Sequence, residues 1–453
     1  MSFIGLDIGT SFIKGAVLDV DKFLLSYVSR VPFPQRLDLG NALLVEFDPN
    51  VVTETTRHVI QRLLLHMPNC EGIVVCCQMH GMVLVNERGE RHSNFISWTD
   101  HRGNMRHASY SGSYIDEIYA RISSRIRRRL GNELNLERPA CFLFWLAEQG
   151  LLDPGLIPLS IADYVLGALC EPALATDITN ASATGLLNLQ QSTWDDAVID
   201  ALGLETLRFP NIRPHGEIIG YFRNHTYQIP CYLPMGDFQC ALMGAMVDSS
   251  DLSINVSTGA QVSRITNDLQ LGEYQTRPFF DRKLVNTYSD APGGLSFNLL
   301  SNLLFECASH DELGGSIETN WSFIAQTLDR VKDTDLKVDP WVNRHSGSIH
   351  NMRVENMTAG HVLRGALKGM VRVYEQHANR LWPERTWSDI VLSGGFALKS
   401  EALRDMVRQQ FKSNCRLPPF SEDTLFGLLI LARVFGKRAH TVIEIVEHLR
   451  ESL

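Results

Sequence analysis

The chain has 453 residues, with 42 Lys and Arg against 51 Asp and Glu, so its formal net charge is −9 with histidine neutral. Hydrophobic residues make up 44% and charged residues 21%, which excludes a disordered or collagen-like chain. The acidic balance argues against a protein that lives on nucleic acid or on an anionic membrane. At roughly 100–200 residues per domain, the length predicts two large domains or three small ones.

Cysteine usage and the N-terminus indicate a cytoplasmic protein. The nine cysteines form no CxxC pair, and Cys76 and Cys77 are adjacent, so most are predicted to be buried thiols in a reducing compartment. Asp7 interrupts the apolar core that a signal peptide needs. The longest apolar stretches, such as 72–85 and 427–436, are shorter than the roughly 18–20 residues of a membrane span.

The N-terminal part of the chain alternates strand-like and helix-like segments, which indicates an α/β architecture. Two apolar segments flank Gly9, Thr10 and Ser11 and predict a β-hairpin. Apolar residues at helical spacing follow, and then two short apolar runs that are typical of strands. The predicted elements are strands at 3–7, 12–19, 72–77 and 82–86 and a helix at 51–66.

The hairpin turn has the composition of a phosphate-binding turn. Asp7 ends the first strand, Gly9, Thr10 and Ser11 form the turn, and Lys14 follows. Glycine lets backbone N–H groups approach a phosphate chain, hydroxyls add donors, and the carboxylate can hold Mg²⁺ beside the phosphates. An ordinary hairpin with an aspartate in its turn is the alternative. A P-loop is excluded, because its signature sequence is missing from the chain.

A second segment, about half a chain later, has the same pattern. Residues 254–265 place Ser257, Thr258 and Gly259 between two short strands, as residues 5–19 do around their own turn. Two such units so far apart predict a duplicated two-domain fold, although hairpins with hydroxyl-rich turns are also common by chance.

Polar or polarisable side chains follow the predicted strand 72–77 directly, at Gln78, Met79 and His80, before Gly81 allows a sharp turn. The carboxyl ends of strands are where α/β folds bind ligands, and Gln and His can hydrogen-bond vicinal hydroxyls. This cluster favours a binding site, with a structural histidine as the alternative.

Trp98, Asp100 and Arg102 combine an aromatic face, a carboxylate and a guanidinium. Sugars are bound by such mixtures, because the ring covers C–H faces and the charged groups bind hydroxyls. A buried Trp beside a local Asp–Arg ion pair is an equally simple alternative.

Asp237 lies at a predicted strand-to-helix junction, at the start of the small and apolar segment 236–244. A carboxylate there can accept the proton of a hydroxyl whose oxygen attacks phosphorus. An N-cap aspartate is the alternative, and the two roles are compatible.

The C-terminal half adds a third glycine turn. Residues 389–393 predict a strand, Gly394 and Gly395 a turn, and the following residues a helix with Ser400 as its N-cap. Residues 362–381 predict a long helix with one apolar stripe. The polar stretch 267–293 is interpreted as a surface excursion.

The order of these motifs resembles that of the FGGY family of carbohydrate kinases, within the actin/hexokinase-like superfamily. Residues 7–10 are similar to the first phosphate motif of the family, residues 257–259 to the second, and residues 393–397 to the adenosine motif. Residues 78–81 resemble the ketose-binding segment of xylulokinase-like members. The resemblance runs from Asp7 to Gly427.

This resemblance implies an α/β fold of two ribonuclease-H-like domains, 1–244 and 245–453, with an interdomain cleft. It implies ATP and Mg²⁺ as cofactors and a small-molecule ketose as substrate, with no nucleic acid and no membrane as partner. A homodimer is kept open as an oligomeric state.

The same resemblance assigns the site. Asp237 is expected to accept the proton of the attacking hydroxyl, and Asp7 and Asp237 are expected to hold the metal. The residues expected at the sugar are Gln78, Met79, His80, Trp98, Asp100, Arg102, Asp237 and Gln239. The residues expected at ATP are Gly9, Thr10, Ser11, Lys14, Ser257, Thr258, Gly259, Gly394, Gly395, Phe396 and Ala397.

Segments 236–239, 255–258 and 360–364 resemble family members that phosphorylate the terminal primary hydroxyl of a seven-carbon ketose. A five-carbon ketose is the alternative, since His101 replaces a glycine usual in the family and Phe396 interrupts the small residues of the adenosine turn. A non-kinase ATP-binding regulator of the same superfamily is a further alternative. The sugar cluster and Asp237 speak against it, because such a protein needs neither.

Overall fold

The computed structural model describes residues 1–67, 69–171, 174–223, 228–308, 324–341 and 346–452. The chain forms two compact units: unit 1 comprises Met1–Met246, Asn267–Leu284 and Phe420–Leu453, and unit 2 comprises Val247–Thr266 and Val285–Pro419. The boundary predicted after residue 244 lies two residues before the first crossing. However, two later segments return to unit 1, which the sequence did not indicate.

Unit 1 is built on a seven-stranded sheet. Its first two strands form the expected antiparallel hairpin, with Asp7 opposite Lys14. In spatial order the strands are Ile218–Arg223, Gln228–Tyr232, Ile73–Cys77, Ser2–Ile8, Phe12–Asp19 and Leu24–Pro32, and Met235–Gly236 also pairs with Ile73–Cys77.

Three strands of this sheet end at the same edge. Ile73–Cys77 runs parallel to Ser2–Ile8 with Cys77 opposite Ile8, and Gly236 lies parallel and opposite Cys77 on the other side. The residues that follow these strand ends are therefore neighbours: the first glycine turn, the Gln78 cluster and Asp237.

The remaining elements of unit 1 surround this sheet. Helix Pro49–Leu64 buries Val59, Ile60 and Leu63 against the apolar strands, which is the stripe that its helical spacing predicts. The other helices are Tyr114–Arg121, Ser124–Arg129, Pro139–Glu148, Ile161–Leu169, Ile178–Ser182, Asp196–Ala201, Asp237–Gly244, Asp423–Phe435 and Val442–Ser452, with 3₁₀ turns Arg102–Asn104 and Phe280–Arg282. Short strands pair as Glu46–Phe47 with Phe95–Ile96, Val83–Val85 with Ile157–Leu159, Ala175–Asp177 with Asn211–Arg213, and Leu187–Asn188 with Thr193–Trp194.

Unit 2 repeats the hairpin plan, as the sequence predicted. Leu252–Val256 and Ala260–Thr266 are antiparallel around the second turn, and Ile390–Ser393 lies parallel to the first of them, with Asn255 opposite Ser393. The strand order within the unit is Leu284–Ala291, Ala260–Thr266, Leu252–Val256, Ile390–Ser393 and Cys415–Arg416. Lys337–Asp339 pairs with Ser348–His350, the helices are Gly294–Ala308, 324–329, Ala359–Leu381, Gly395–Lys399 and Glu401–Phe411, and Val354–Asn356 is a 3₁₀ turn.

The interpretation of the polar stretch 267–293 as a loop-rich surface excursion is wrong. The stretch contains the strands Gln275–Pro278 and Leu284–Ala291, and Arg277 is 2% exposed. The polar composition suggested a surface position, because the sequence does not distinguish a buried arginine with a partner from an exposed one.

Two helices of unit 1 cross at glycines. A Cβ at Gly244 would overlap the carbonyl oxygen of Asp423, and a Cβ at Gly427 would overlap the carbonyl oxygen of Cys240. Helix Asp423–Phe435 therefore lies backbone to backbone against helix Asp237–Gly244, with no space for a side chain at the crossing.

We expect Gly427→Ala to lower the free energy of unfolding by about 1–3 kcal/mol, because the added methyl group must push the two helices apart. Alanine in a helix would otherwise stabilise it by about 1 kcal/mol relative to glycine. Urea denaturation measures the difference. Gly395→Ala is the control, since a Cβ there meets no atom within 4 Å; a Gly427→Ala protein as stable as wild type would contradict the close crossing.

Candidate active site

Asp7 is the penultimate residue of strand Ser2–Ile8 and is buried near the edge where the three strands end. Its Oδ2 accepts a hydrogen bond of 2.7 Å from the hydroxyl of Thr424 and lies 3.4 Å from the ammonium of Lys14. Its Oδ1 is buried with no hydrogen-bond partner. Asp7 thus keeps one carboxylate oxygen available for a ligand.

Lys14 lies between two carboxylates, 3.4 Å from Asp7 and 3.4 Å from Glu422. Burial acts to lower the pKa of Lys14, but the charges of Asp7 and Glu422 outweigh it and raise the pKa. Glu422 is also paired with Arg30. The ammonium of Lys14 is therefore charged and oriented beside the turn at Gly9.

Asp237 is the first residue of its helix, and the N-cap position belongs to Gly236. Burial, and then the negative charge of Asp7, raises the pKa of the Asp237 carboxyl to about 7. The N–H of Phe238 and the charge of Arg277 act in the opposite direction. A carboxylate with a pKa near neutrality is well matched to accepting a proton at physiological pH.

A third carboxylate, Asp423, belongs to the same electrostatic group, and the sequence analysis did not find it. Burial raises its pKa to about 6, the charges of Asp7 and Glu422 add to this, and Lys14 opposes it. Asp423 in turn raises the pKa of Asp237. No local motif marks this residue. It begins a helix near the end of the chain, far in sequence from Asp7 and Asp237.

Carboxylate oxygens are the ligands that Mg²⁺ prefers, and Mg²⁺ commonly takes only one or two protein carboxylates and keeps several waters. Asp7, with its unpartnered Oδ1, and Asp237, next to it in the field of negative charge, fit this chemistry. Among the residues that the structure describes, no group of three or more His, Cys, Asp or Glu side chains is arranged to hold a metal by itself.

The Gln78 side chain joins the strand end to the first glycine turn. Its Nε2 donates to the carbonyl oxygen of Gly9 at 3.2 Å, and its Oε1 accepts from the hydroxyl of Thr10 at 3.4 Å. The indole N–H of Trp98 donates to the same hydroxyl at 2.9 Å. Met79 is buried against Gly236. The sequence-predicted sugar cluster, Trp98 and the first glycine turn therefore form one connected group.

His80 has a left-handed backbone, with φ of 71°, which is uncommon for a residue other than glycine. Its Nε2 is buried and lies 3.5 Å from the Glu133 carboxylate. Burial and the charge of Arg138 lower the pKa of His80 to about 3, so the imidazole is neutral at physiological pH. A neutral imidazole can both donate to and accept from hydroxyls.

Glu133, which the sequence analysis missed, is fully buried between two arginines. Its Oε1 accepts from Nε of Arg277 at 2.6 Å, and its Oε2 accepts from Nε of Arg138 at 2.8 Å. Burial acts to raise the pKa of Glu133, but the two guanidinium groups hold it well below its usual range. The guanidinium of Arg277 also covers the ring of Phe238, 5.0 Å from its centre.

Gln239 is fully buried, and its Nε2 donates to the carbonyl oxygen of Pro278 at 3.1 Å. Its Oε1 has no hydrogen-bond partner. The segment that carries Arg277 and Pro278 therefore contacts the first turn of the Asp237 helix at two residues, Phe238 and Gln239.

Asp100 and Arg102 are buried and bonded to each other, with Nε of Arg102 donating to the carboxylate at 2.9 Å. Arg102 also bonds Glu46 at 2.6 Å and covers the ring of Trp145. Their charges are satisfied within the protein, which favours a supporting role for this pair in the segment that carries Trp98. Between them, His101 has an ordinary φ of −118°, so the backbone here does not require a glycine.

Unit 2 carries the other two glycine turns. Ser257, Thr258 and Gly259 are exposed, and a Cβ at Gly259 or at Gly395 would meet no atom within 4 Å. Gly394 has a φ of 88°, and a Cβ there would overlap the carbonyl oxygen of Val256. The two turns therefore lie together, with open space at Gly259 and Gly395 and a close backbone approach at Gly394.

The side chain of Phe396 is buried and packs edge-on against Phe297, with ring centres 5.1 Å apart. Ala397 is fully buried. Both residues can therefore face a ligand only through their backbone, so Phe396 does not place an aromatic ring in the turn.

Residues 2–244 match the model of the N-terminal domain of the FGGY family of carbohydrate kinases. The chain belongs to this family. It is accordingly a phosphotransferase of the carbohydrate kinase type, and the family implies ATP as the phosphoryl donor.

The relatives agree with this assignment. The sedoheptulokinase of Mus musculus is 23% identical over 90% of this chain and 92% of its own, and the glycerol kinase of Thermococcus onnurineus is 26% identical over 53% of this chain and 49% of its own. Among solved structures, gluconate kinase and xylulose kinase from Lactobacillus acidophilus are both 20% identical, with TM-scores of 0.84 and 0.82, each over 98% of this chain and 91% of their own. The two structures establish the fold.

Within the part of the chain that the structure describes, no helix is both long and apolar enough to cross a membrane.

The pKa of Asp237 predicts the pH dependence of the reaction. Only the ionised carboxylate accepts a proton, so kcat/KM should rise with pH and level off above about 7. Asp423→Asn removes a negative charge that raises the pKa of Asp237, so the rise should occur at lower pH. Steady-state rates between pH 5 and 9 measure this, with the surface change Glu205→Gln as the control. A pH profile of Asp423→Asn equal to that of the control would show that Asp423 does not raise the pKa of Asp237.

Proposed function

We propose that this kinase transfers the γ-phosphoryl group of ATP to the terminal primary hydroxyl of a ketose, with sedoheptulose as substrate and sedoheptulose 7-phosphate as product. The observation that carries this proposal is the similarity to a sedoheptulokinase over nearly the whole length of both chains. The polar strand end at residues 78–80, next to Asp237, supports it, because it offers hydroxyl-binding groups beside a proton acceptor.

In this proposal Asp237 takes the proton of the terminal hydroxyl of the ketose. The oxygen of that hydroxyl bonds to the γ-phosphorus, while the bond between the γ-phosphorus and the oxygen of ADP breaks. Positioning and charge neutralisation do most of the work in such a transfer. Mg²⁺, held by Asp7 and Asp237, would neutralise phosphate charge. Lys14 and the N–H groups of Thr10 and Ser11 donate to the phosphates, while the N–H of Gly9 closes the turn by donating to the carbonyl oxygen of Phe12 at 3.0 Å.

The other ligand contacts follow from the two units. On unit 2, the turn Ser257–Gly259 is proposed for phosphates and the turn Gly394–Ala397 for adenosine. On unit 1, Gln78, His80, Trp98 and the free Oε1 of Gln239 are proposed for sugar hydroxyls, and Met79 for the carbon chain. Asp100 and Arg102 hold the segment that carries Trp98.

A five-carbon ketose is the second candidate, since residues 78–81 resemble the ketose-binding segment of xylulokinase-like proteins. A regulator without kinase activity is disfavoured by membership of a kinase family and by Asp237. ADP release in the presence of five-, six- and seven-carbon ketoses distinguishes the three.

We expect the highest kcat/KM for sedoheptulose, by about tenfold or more over xylulose, because a site built to hydrogen-bond a hydroxyl discriminates against a substrate that lacks it. A higher value for xylulose would support the five-carbon alternative. ADP release that does not depend on any ketose would contradict the sugar kinase reaction altogether.

Asp237→Asn should lower kcat by about 10²–10⁴-fold, the usual contribution of a general base. ATP binding should persist, because most of the proposed contacts with ATP lie elsewhere, and the ATP-induced rise in Tm reports it. Glu205→Gln, a surface change of the same chemical kind, is the control. If Asp237→Asn kept more than about a tenth of the wild-type kcat, Asp237 would not be the proton acceptor.

A further inference from the structure

The long helix Ala359–Leu381 holds the chain just before Gly293 by two side chains. Tyr374 is fully buried, and its hydroxyl donates to the carbonyl oxygen of Pro292 at 2.6 Å. One turn later, Nε2 of His377 lies 3.2 Å from the carbonyl oxygen of Asp290. Because a carbonyl oxygen only accepts, this ring nitrogen carries the proton. The helix thus fixes two backbone carbonyls of one short segment.

The residues that follow this segment touch the second phosphate turn directly. A Cβ at Gly293 would overlap the backbone of Gly259, and a Cβ at Gly294 would lie 2.8 Å from the carbonyl oxygen of Ser257. The N–H of Gly294 donates to that oxygen at 2.8 Å, and the N–H of Leu295 donates to the carbonyl oxygen of Thr258 at 2.9 Å. No side chain separates the two backbones. A displacement of Pro292 would therefore also displace the turn Ser257–Gly259.

The loss of the hydrogen bond of Tyr374 would be costly. Pro292 is buried and, being proline, has its carbonyl as its sole backbone hydrogen-bonding group. Without the tyrosine hydroxyl that oxygen would be buried and unpaired, which is costly, so the segment would move to find another donor.

We propose that Tyr374 is a positioning residue for the nucleotide: through the Pro292 carbonyl it fixes Gly293 and Gly294, and with them the turn Ser257–Gly259 that receives the phosphates of ATP. This inference rests on the proposed function, in which that turn binds ATP. Tyr374 itself touches neither substrate.

Tyr374→Phe removes one hydroxyl and keeps the ring. We expect KM for ATP to rise about 5- to 30-fold, since a buried acceptor is left unpaired, while KM for the ketose stays within about twofold. The ATP-induced rise in Tm, measured without sugar, should shrink. Tyr164→Phe is the matched control, because Tyr164 is a buried tyrosine of unit 1 whose hydroxyl donates to Asn50 at 2.7 Å; both quantities should keep their wild-type values there.

The outcomes separate this inference from the proposed function. If the wild-type protein shows no ATP-induced rise in Tm, the proposed function fails, and the role of Tyr374 fails with it. If the wild type responds and Tyr374→Phe responds equally, with unchanged KM for ATP, only the positioning role is overturned. Should Tyr374→Phe not fold, His377→Phe tests the same segment, because it removes the donor to the carbonyl oxygen of Asp290 and keeps a ring beside Tyr288. An unchanged KM for ATP in that variant also overturns the proposal.

Discussion

The arrangement of the proposed sugar side of the site depends on one fully buried carboxylate. Glu133 requires both Arg138 and Arg277, because an ionised carboxylate without paired cations is strongly unfavourable in the interior. Arg277 comes 144 residues later in the chain, so the segment Asn267–Leu284 has to return to unit 1 to supply it. Once there, Arg277 covers Phe238, next to Asp237, while Glu133 faces His80. One ion cluster therefore fixes the position of Asp237, the proposed proton acceptor, and of His80, a proposed sugar ligand, together.

The acidic edge of the sheet follows the opposite principle. Asp7, Asp237 and Asp423 repel one another, and Lys14 and Thr424 satisfy only part of Asp7. Burial, and then this repulsion, raises the pKa of Asp237 to about 7. The same repulsion makes the acidic edge attractive to a cation. The protein thus combines two kinds of charge cluster. The charges around Glu133 are fully paired and hold the structure in place, whereas the carboxylates around Asp7 are only partly paired and remain available for a ligand.

Local patterns in the sequence predicted much of the fold and part of the site. The two hairpins, the strand ends at Gln78 and Asp237 and the N-cap at Ser400 are set by neighbouring residues, and the structure has them. Glu133, Arg277 and Asp423 escaped, because their significance comes from partners far along the chain. The pair Asp100 and Arg102 shows the same limit, since a sequence does not reveal whether a guanidinium is already satisfied inside the protein.

The glycine crossing of helix Asp423–Phe435 with helix Asp237–Gly244 has a consequence for biosynthesis. The later helix is almost entirely apolar on its buried face, with Leu425, Phe426 and Leu428 hardly exposed, and it belongs to the unit whose first strand is made first. A ribosome releases it only after all of unit 2 has been synthesised. The first unit must therefore wait, incomplete and with an uncovered apolar surface, while the second is made, and the nascent chain needs protection from aggregation during that interval.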